Sequence, residues 1–244
     1  MDKLVYVAMS GAKETLSAQA VNNYNLANAS TTGFKADLAA FRARAVTGPG
    51  YNSRVYATTS SVGYDGTSGE QVTTGSPLDV AVQGPGVFAV PDASGNEAYT
   101  RAGDLHVDPS GQLMTATGHP VVGDGGVISV PPANSVTIAA DGTVSAVPLG
   151  QLPMSTAILG RIKLVAASQL QQGTDGLYRT ADGSPAEADA GVTLASGVLE
   201  SSNVNIASAL VNMIELARRY ELQVKSLHTA EDDSASSTKL LQSG

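Results

Sequence analysis

The chain has 244 residues, no cysteine, and 14 Lys/Arg against 22 Asp/Glu, for a net charge of −8. The charge is uneven: residues 1–45 carry net +2, residues 46–200 net −9 and residues 201–244 net −1. An acidic middle argues against a nucleic-acid partner, which needs clustered basic side chains. The missing cysteines exclude disulfides and thiolate metal sites.

No apolar run approaches the roughly 20 residues needed to span a bilayer, so no membrane insertion is expected. Met1-Asp2-Lys3 is followed by apolar residues broken at Ser10, Gly11 and Lys13, which does not read as a secretory leader. Export, if it occurs, then needs a machine that reads an uncleaved signal.

Residues 3–28 place Val5, Met9, Ala12, Leu16 and Leu26 at helical spacing, interrupted by Gln19 and Asn23, with Asp2 as an N-cap. Asn22, Asn23, Asn25 and Asn28 crowd the last turns. They either fray the helix or, if buried on a seam, set its register against another helix. Ser30-Thr31-Thr32-Gly33 ends the helix, with Gly33 free to take a positive φ. Residues 37–76 read as an extended connector, richest in Gly, Ser, Thr, Tyr and Pro over 45–75.

From residue 77 short apolar runs alternate with turns. Leu78, Val80 and Val82 alternate, as do Phe88 and Val90, and further runs lie at 127–130, 136–139, 143–147 and 161–166. Asp-Gly at 65–66, 124–125, 141–142, 175–176 and 182–183 marks turns, and Val136–Val144 around Asp141-Gly142 is the clearest hairpin. Residues 77–200 therefore form an antiparallel β domain.

Helix returns near Asn203 or Asn205, either of which can cap it. Leu210, Met213, Ala217, Tyr220, Val224 and Leu227 follow spacings of three, four, three, four and three, the a/d pattern of a helix that packs on another helix. Glu215–Arg219 and Glu221–Lys225 stand in the favourable i,i+4 order. The pattern weakens over Glu231–Ser237, and Lys239–Gln242 can form one last turn. The predicted fold is α+β: a helical coiled-coil domain from residues 1–36 and 201–244, a connector at 37–76 and a β domain at 77–200.

Catalytic constellations are missing. His106, His119 and His228 are scattered, and Gly84-Pro85-Gly86 fails the dinucleotide fingerprint. Asp104 and Asp108 could be imagined as a carboxylate pair for glycoside chemistry. Gly103 before the first and Pro109-Ser110-Gly111 after the second make turns the better reading. No cofactor, metal or catalytic residue is assigned, and no enzyme activity is expected.

Four stretches together resemble the rod and hook proteins of the bacterial flagellum. They are N-N-Y-N-L-A-N-A-S-T-T-G-F-K at 22–35, T-G-S-P-L-D-V-A-V-Q-G-P-G-V-F-A-V at 74–90, Y-T-R-A-G-D-L-H-V-D-P-S-G-Q-L at 99–113 with T-G-H-P-V-V-G at 117–123, and L-E-S-S-N-V-N at 199–205 followed by M-I-E-L-A-R-R-Y-E-L-Q-V-K at 213–225. The opening Leu4–Ala12 looks most like the proximal rod members. Tyr24, Val87, Leu105 and Gln223 depart from the family's usual residues.

The resemblance implies a structural subunit of the basal-body rod, built axially and transmitting torque, with no active site. It implies paired terminal helices lining a tube, with Val5, Met9, Ala12, Leu16, Asn23, Leu26 and Asn28 from the first helix and Leu210, Met213, Ala217, Tyr220, Val224 and Leu227 from the second as seam or subunit-interface residues. The implied partners are other rod proteins, copies of this chain in a helical tube, and the flagellar type III export apparatus. The implied place is the basal body, in a rod crossing the periplasm, reached without a cleaved signal peptide. A distal rod or hook subunit is the nearest alternative. A cell-wall-acting enzyme or glycan-binding β module is the alternative of another class.

Overall fold

The structure, a computed structural model, describes residues 2–45, 55–150, 155–173 and 175–242. The chain forms two compact units: Met1–Asn28, Asp37–Tyr64 and Val204–Gly244 make one, Ala29–Ala36 and Asp65–Asn203 the other. Terminal helices and a central antiparallel β region together give the expected α+β class. Asp37–Tyr64 groups with the helices and Ala29–Ala36 with the β region, whereas the expected boundaries put 37–76 in a separate connector and 29–36 at the edge of the helical domain.

The helical unit is built on α1 (Asp2–Ala27) and α2 (Ile206–Gln242). Asp2 is the first residue of α1, and its side chain, expected as a cap, lies outside the described residues. Asn205 caps α2: its side-chain oxygen accepts from the Ser208 N–H at 2.9 Å, and its carbonyl accepts from Ala209. α2 runs unbroken through Glu231–Ser237, where the pattern had suggested an interruption. It holds neither Gly nor Pro, and propagating a helix costs far less than starting one. Of the two expected i,i+4 pairs, Glu215–Arg219 stands at 3.7 Å.

α1 and α2 run antiparallel. Asn22 donates to the Ala209 carbonyl at 2.9 Å, while Gly11 lies where an added Cβ would meet the Gln223 amide at 3.0 Å. With 37 residues against 26, α2 outruns its partner. About ten residues continue past the start of α1, roughly 15 Å at 1.5 Å per residue.

Strands β1 (Asp37–Ala45) and β2 (Val55–Tyr64) complete this unit as an antiparallel ribbon, in register from Asp37↔Tyr64 to Ala45↔Val55 with a bulge at Leu38/Ala39. The Asn25 amide clamps the ribbon's first residue: it donates to the Asp37 carbonyl at 2.9 Å and accepts from the Asp37 N–H at 2.8 Å. The asparagine cluster is thus not simple fraying, since Asn22 and Asn25 each tie α1 to another element.

The β unit begins with β3 (Gln71–Thr73), β4 (Val80–Gln83), β5 (Gly86–Pro91) and β6 (Glu97–Thr100). A five-stranded antiparallel sheet orders Leu164–Ala166, β5, β6, Tyr178–Thr180 and Leu170–Gln172. A three-stranded meander holds Ala133–Ile138, Thr143–Pro148 and Ala157–Arg161. Its first turn is the expected hairpin at Asp141-Gly142, with Gly142 at φ 85° and the Asp141 carboxylate accepting from the Thr143 N–H at 3.0 Å. Asp175-Gly176 likewise joins Leu170–Gln172 to Tyr178–Thr180.

The expected alternation in β4 and β5 is replaced by near-continuous burial, because these strands are covered on both faces. Phe88, Val90, Leu113, Val144, Ile162 and Leu194 form the centre of one apolar core. The unit closes on its C-terminal strands: Thr193–Ser196 pairs with β4, and Val198–Glu200 pairs with β3.

Candidate functional site

Two features stand out, one in each unit. In the helical unit the buried stripe of α1 is made of small residues: Ala8, Ala12, Thr15 and Ala18. Opposite, α2 presents Ala209, Met213, Leu216, Tyr220, Gln223, Leu227 and Ala230, buried or half-buried at spacings of four and three throughout. That is a heptad seam with small side chains on one side, which lets the two backbones approach closely.

The expected seam residues divide into two groups. Ala12 is buried, and Val5, Leu26, Asn28, Met213, Ala217, Tyr220, Val224 and Leu227 are half-buried. Met9, Leu16, Asn23 and Leu210 instead face outward, Met9 at 53% exposure and Leu16 at 47%. They are not isolated. On α1 the exposed positions Tyr6, Met9, Lys13, Leu16, Ala20, Asn23 and Ala27 repeat every three and four residues. On α2 Ile206, Leu210, Val211, Ile214 and Leu222 are all exposed. Each helix therefore carries a second apolar stripe that its partner does not cover.

In the β unit an ionic cluster unites three of the motifs singled out in the sequence. Lys35 ends the first motif, Arg101 follows β6, and Glu200 ends the strand Val198–Glu200. Their side chains are 2%, 5% and 1% exposed, and Glu200 accepts from Lys35 Nζ at 2.5 Å and from Arg101 Nη2 at 2.6 Å. Arg101 Nε also donates to Glu200 at 2.9 Å, and its remaining donors reach the carbonyls of Val82, Gly84 and Gly86. Lys35 donates to the Thr67 carbonyl at 2.7 Å, and Glu200 accepts from the Gly69 N–H at 3.0 Å.

Burial pushes the Glu200 carboxyl up, but the bonds from Lys35 and Arg101 outweigh it and hold the group below its usual range. For Lys35, burial and the nearby Arg101 charge lower the ammonium despite the pull of Glu200. Gly33, expected to end the helix, sits beside this cluster with φ 68°, and its N–H donates to the Glu200 carbonyl at 2.7 Å. A Cβ there would strike the Arg101 carbonyl, so glycine is required for conformation and for space. Asn203, one of the two expected caps, works here instead. It accepts from the Ala36 N–H at 2.8 Å and donates to the Asp65 carbonyl at 3.0 Å.

The carboxylates weighed for glycoside chemistry serve separate local structures. Asp108 accepts from Ser110 Oγ and from the Gln112 N–H at 2.6 Å, as the turn reading requires. Asp104 pairs through its backbone with Asp79, and burial raises its carboxyl. Tyr99 is pushed up to about 12 by burial and by its bond to Glu97, and its oxygen also accepts from the Ala186 N–H. That network fastens the 184–190 loop to β6. Among the described residues no group of three or more His, Asp or Glu is arranged to hold a metal, and no helix is long and apolar enough to cross a membrane.

Three family models match the chain. They are described as "Flagella basal body rod protein" over residues 5–35, "Flagellar hook protein FlgE/F/G D1 domain" over 81–146 and "Flagellar basal body rod FlgEFG protein C-terminal" over 195–240. Among curated relatives, the flagellar basal-body rod protein FlgF of Escherichia coli K12 is 46% identical over 99% of both chains. FlgF of Caulobacter vibrioides is 31% identical over 99% of this chain and 98% of its own. FlgG of Buchnera aphidicola from Schizaphis graminum is 37% identical over 90% of this chain and 94% of its own.

Proposed function

The chain belongs to the flagellar basal-body rod family and is a structural subunit of the proximal rod; on that premise we propose how it assembles and which residues do the work. The observation that carries the proposal is the outward apolar stripe on each terminal helix. The pair already satisfies one seam internally, so a second stripe at helical spacing is surface meant for other helices. Met9, Leu16 and Leu210 are then contacts between subunits, while Ala12, Met213, Tyr220 and Leu227 hold the pair together.

A stripe that contacts a different surface of the next subunit makes a heterologous interface, and such interfaces build helical tubes when they do not close into rings. The partners are copies of this chain and other rod proteins. The part of α2 past the start of α1 adds a further surface, because α1 does not reach it. Torque passes through many such seams in parallel, and no active site is involved.

The location is the flagellar basal body. Within it we place the subunit in the rod that crosses the periplasm, delivered through the flagellar type III export apparatus without a cleaved signal peptide. The test is replacement of the native gene by Leu210→Asp or Met9→Asp. Each variant should fold as a monomer with an unchanged β unit yet fail to enter the rod, leaving cells non-motile. Normal swimming with only such a variant present contradicts the assignment of these stripes. A distal rod position is the second reading, and complementation of strains lacking one rod protein each distinguishes the two.

A further inference from the structure

The ionic cluster of the β unit has an unbalanced composition: two cations share one carboxylate. Among the described residues Glu200 is the only carboxylate within ion-pair distance of Lys35 or Arg101. Half-buried Asp65 adds a weaker attraction to Lys35. The partners lie 165 and 99 positions from Glu200 in sequence. Removing the carboxylate leaves two buried positive charges facing each other, which is far more costly than losing a surface pair.

The backbone around the cluster is fitted as closely as the side chains. The Gly33 N–H donates to the Glu200 carbonyl, Ser201 donates to the Glu70 carbonyl at 2.8 Å, and Asn203 donates to the Phe34 carbonyl at 3.3 Å. A Cβ on Gly69 would strike the Ser201 carbonyl. The segments 33–36, 65–70 and 200–203 thus lie against one another, bridged by the side chains of Lys35, Glu200 and Asn203 and with no room for a side chain at position 69. None of these contacts can form until residues 200–203 have arrived.

We propose that Glu200 is the closing latch of the β unit: its carboxylate cancels the repulsion of Lys35 and Arg101 and so locks segments 33–36 and 65–70 in place. A chain that has not yet delivered its C-terminal strands keeps those segments open. The meander does not depend on the latch, because its three strands pair with one another and none of them bonds to Lys35, Arg101 or Glu200. The latch makes completion of the unit depend on nearly the whole chain being present.

Hydrogen exchange of the purified full-length protein at neutral pH tests this, comparing wild type with Glu200→Gln, Lys35→Met and the double variant. Glu200→Gln should speed exchange of amides in 33–36 and 65–73 by about a hundredfold, leaving 133–148 protected. The double variant restores the native net charge of the cluster and should recover protection to within about tenfold of wild type. Exchange in Glu200→Gln within about twofold of wild type overturns the proposal. So does loss of protection throughout the β unit that the double variant does not recover, since Glu200 would then be an ordinary core residue. Recovery by the double variant from any degree of unfolding supports the latch.

Discussion

The two units put their apolar residues in opposite places. In the β unit the large side chains, Phe88, Leu113 and Ile162 among them, are inside, and even a Lys, an Arg and a Glu are buried with their bonds satisfied. In the helical unit the interior of the pair on the α1 side is alanine and threonine, while Tyr6, Met9, Leu16, Ile206, Leu210 and Ile214 face outward. Hydrophobic stabilisation scales with apolar area removed from water. One unit has therefore used its apolar surface within the chain, and the other leaves much of it exposed. On the proposed assembly, a rod subunit built this way folds its β unit alone and completes its helices when neighbours cover them.

Substitutions that touch only one side of this contrast should separate the two behaviours. The largest effect is expected from Leu16→Asp on the outward stripe, which should abolish motility while leaving the urea midpoint of the β unit unchanged. In the β unit, Phe88→Ala should cost about 3–5 kcal/mol, read as a lower urea midpoint with protection of α1 and α2 unaltered. Gly33→Ala forces an alanine into positive φ against the Arg101 carbonyl. It should cost about 1–3 kcal/mol, seen as faster exchange near residues 33–36.

The smallest effect is on pH. Glu200 is held below its ordinary value in the folded unit, as are Asp108, Asp141 and Asp182 in their turns. As the pH drops through the carboxylate range, the unfolded chain takes up protons that the folded unit refuses, so stability falls. Lys35 is depressed as well, and its contribution rises with pH as the folded group loses its proton before the unfolded one does. The β unit should therefore lose stability on acidification, and urea midpoints at neutral and acid pH should show a shallower acid slope for Glu200→Gln than for wild type.

Much of this was visible in the sequence where the signal was local. The helical spacing, the turn at Asp141-Gly142 and the need for glycine at position 33 each depend on a few adjacent residues. Along α2 the apolar spacing favours Leu210, Ala217 and Val224; Ala217 and Val224 are half-buried, while Leu210 faces outward and its neighbour Ala209 is buried. Leu210 is larger and more apolar than Ala209, yet close approach to α1 favours the small residue at that place. Which of two neighbouring stripes packs inside cannot be read from apolar spacing when both are apolar.

The ionic cluster was missed altogether. Lys35, Arg101 and Glu200 are distant in sequence and each resembles a surface charge when taken alone. The available hint was that each sits inside a quoted motif beside an apolar residue, in G-F-K, T-R-A-G and L-E-S-S.

On the proposed assembly, the β unit is complete in the monomer and the helical unit is not. Hydrogen exchange of the dilute monomer, compared with the same chain in isolated basal bodies, tests it most directly. Amides of α1 and α2 should exchange about a hundredfold or more faster than those of Val87–Val90 in the monomer, and become protected in the assembled rod. Terminal helices in the dilute monomer as well protected as those strands would contradict it.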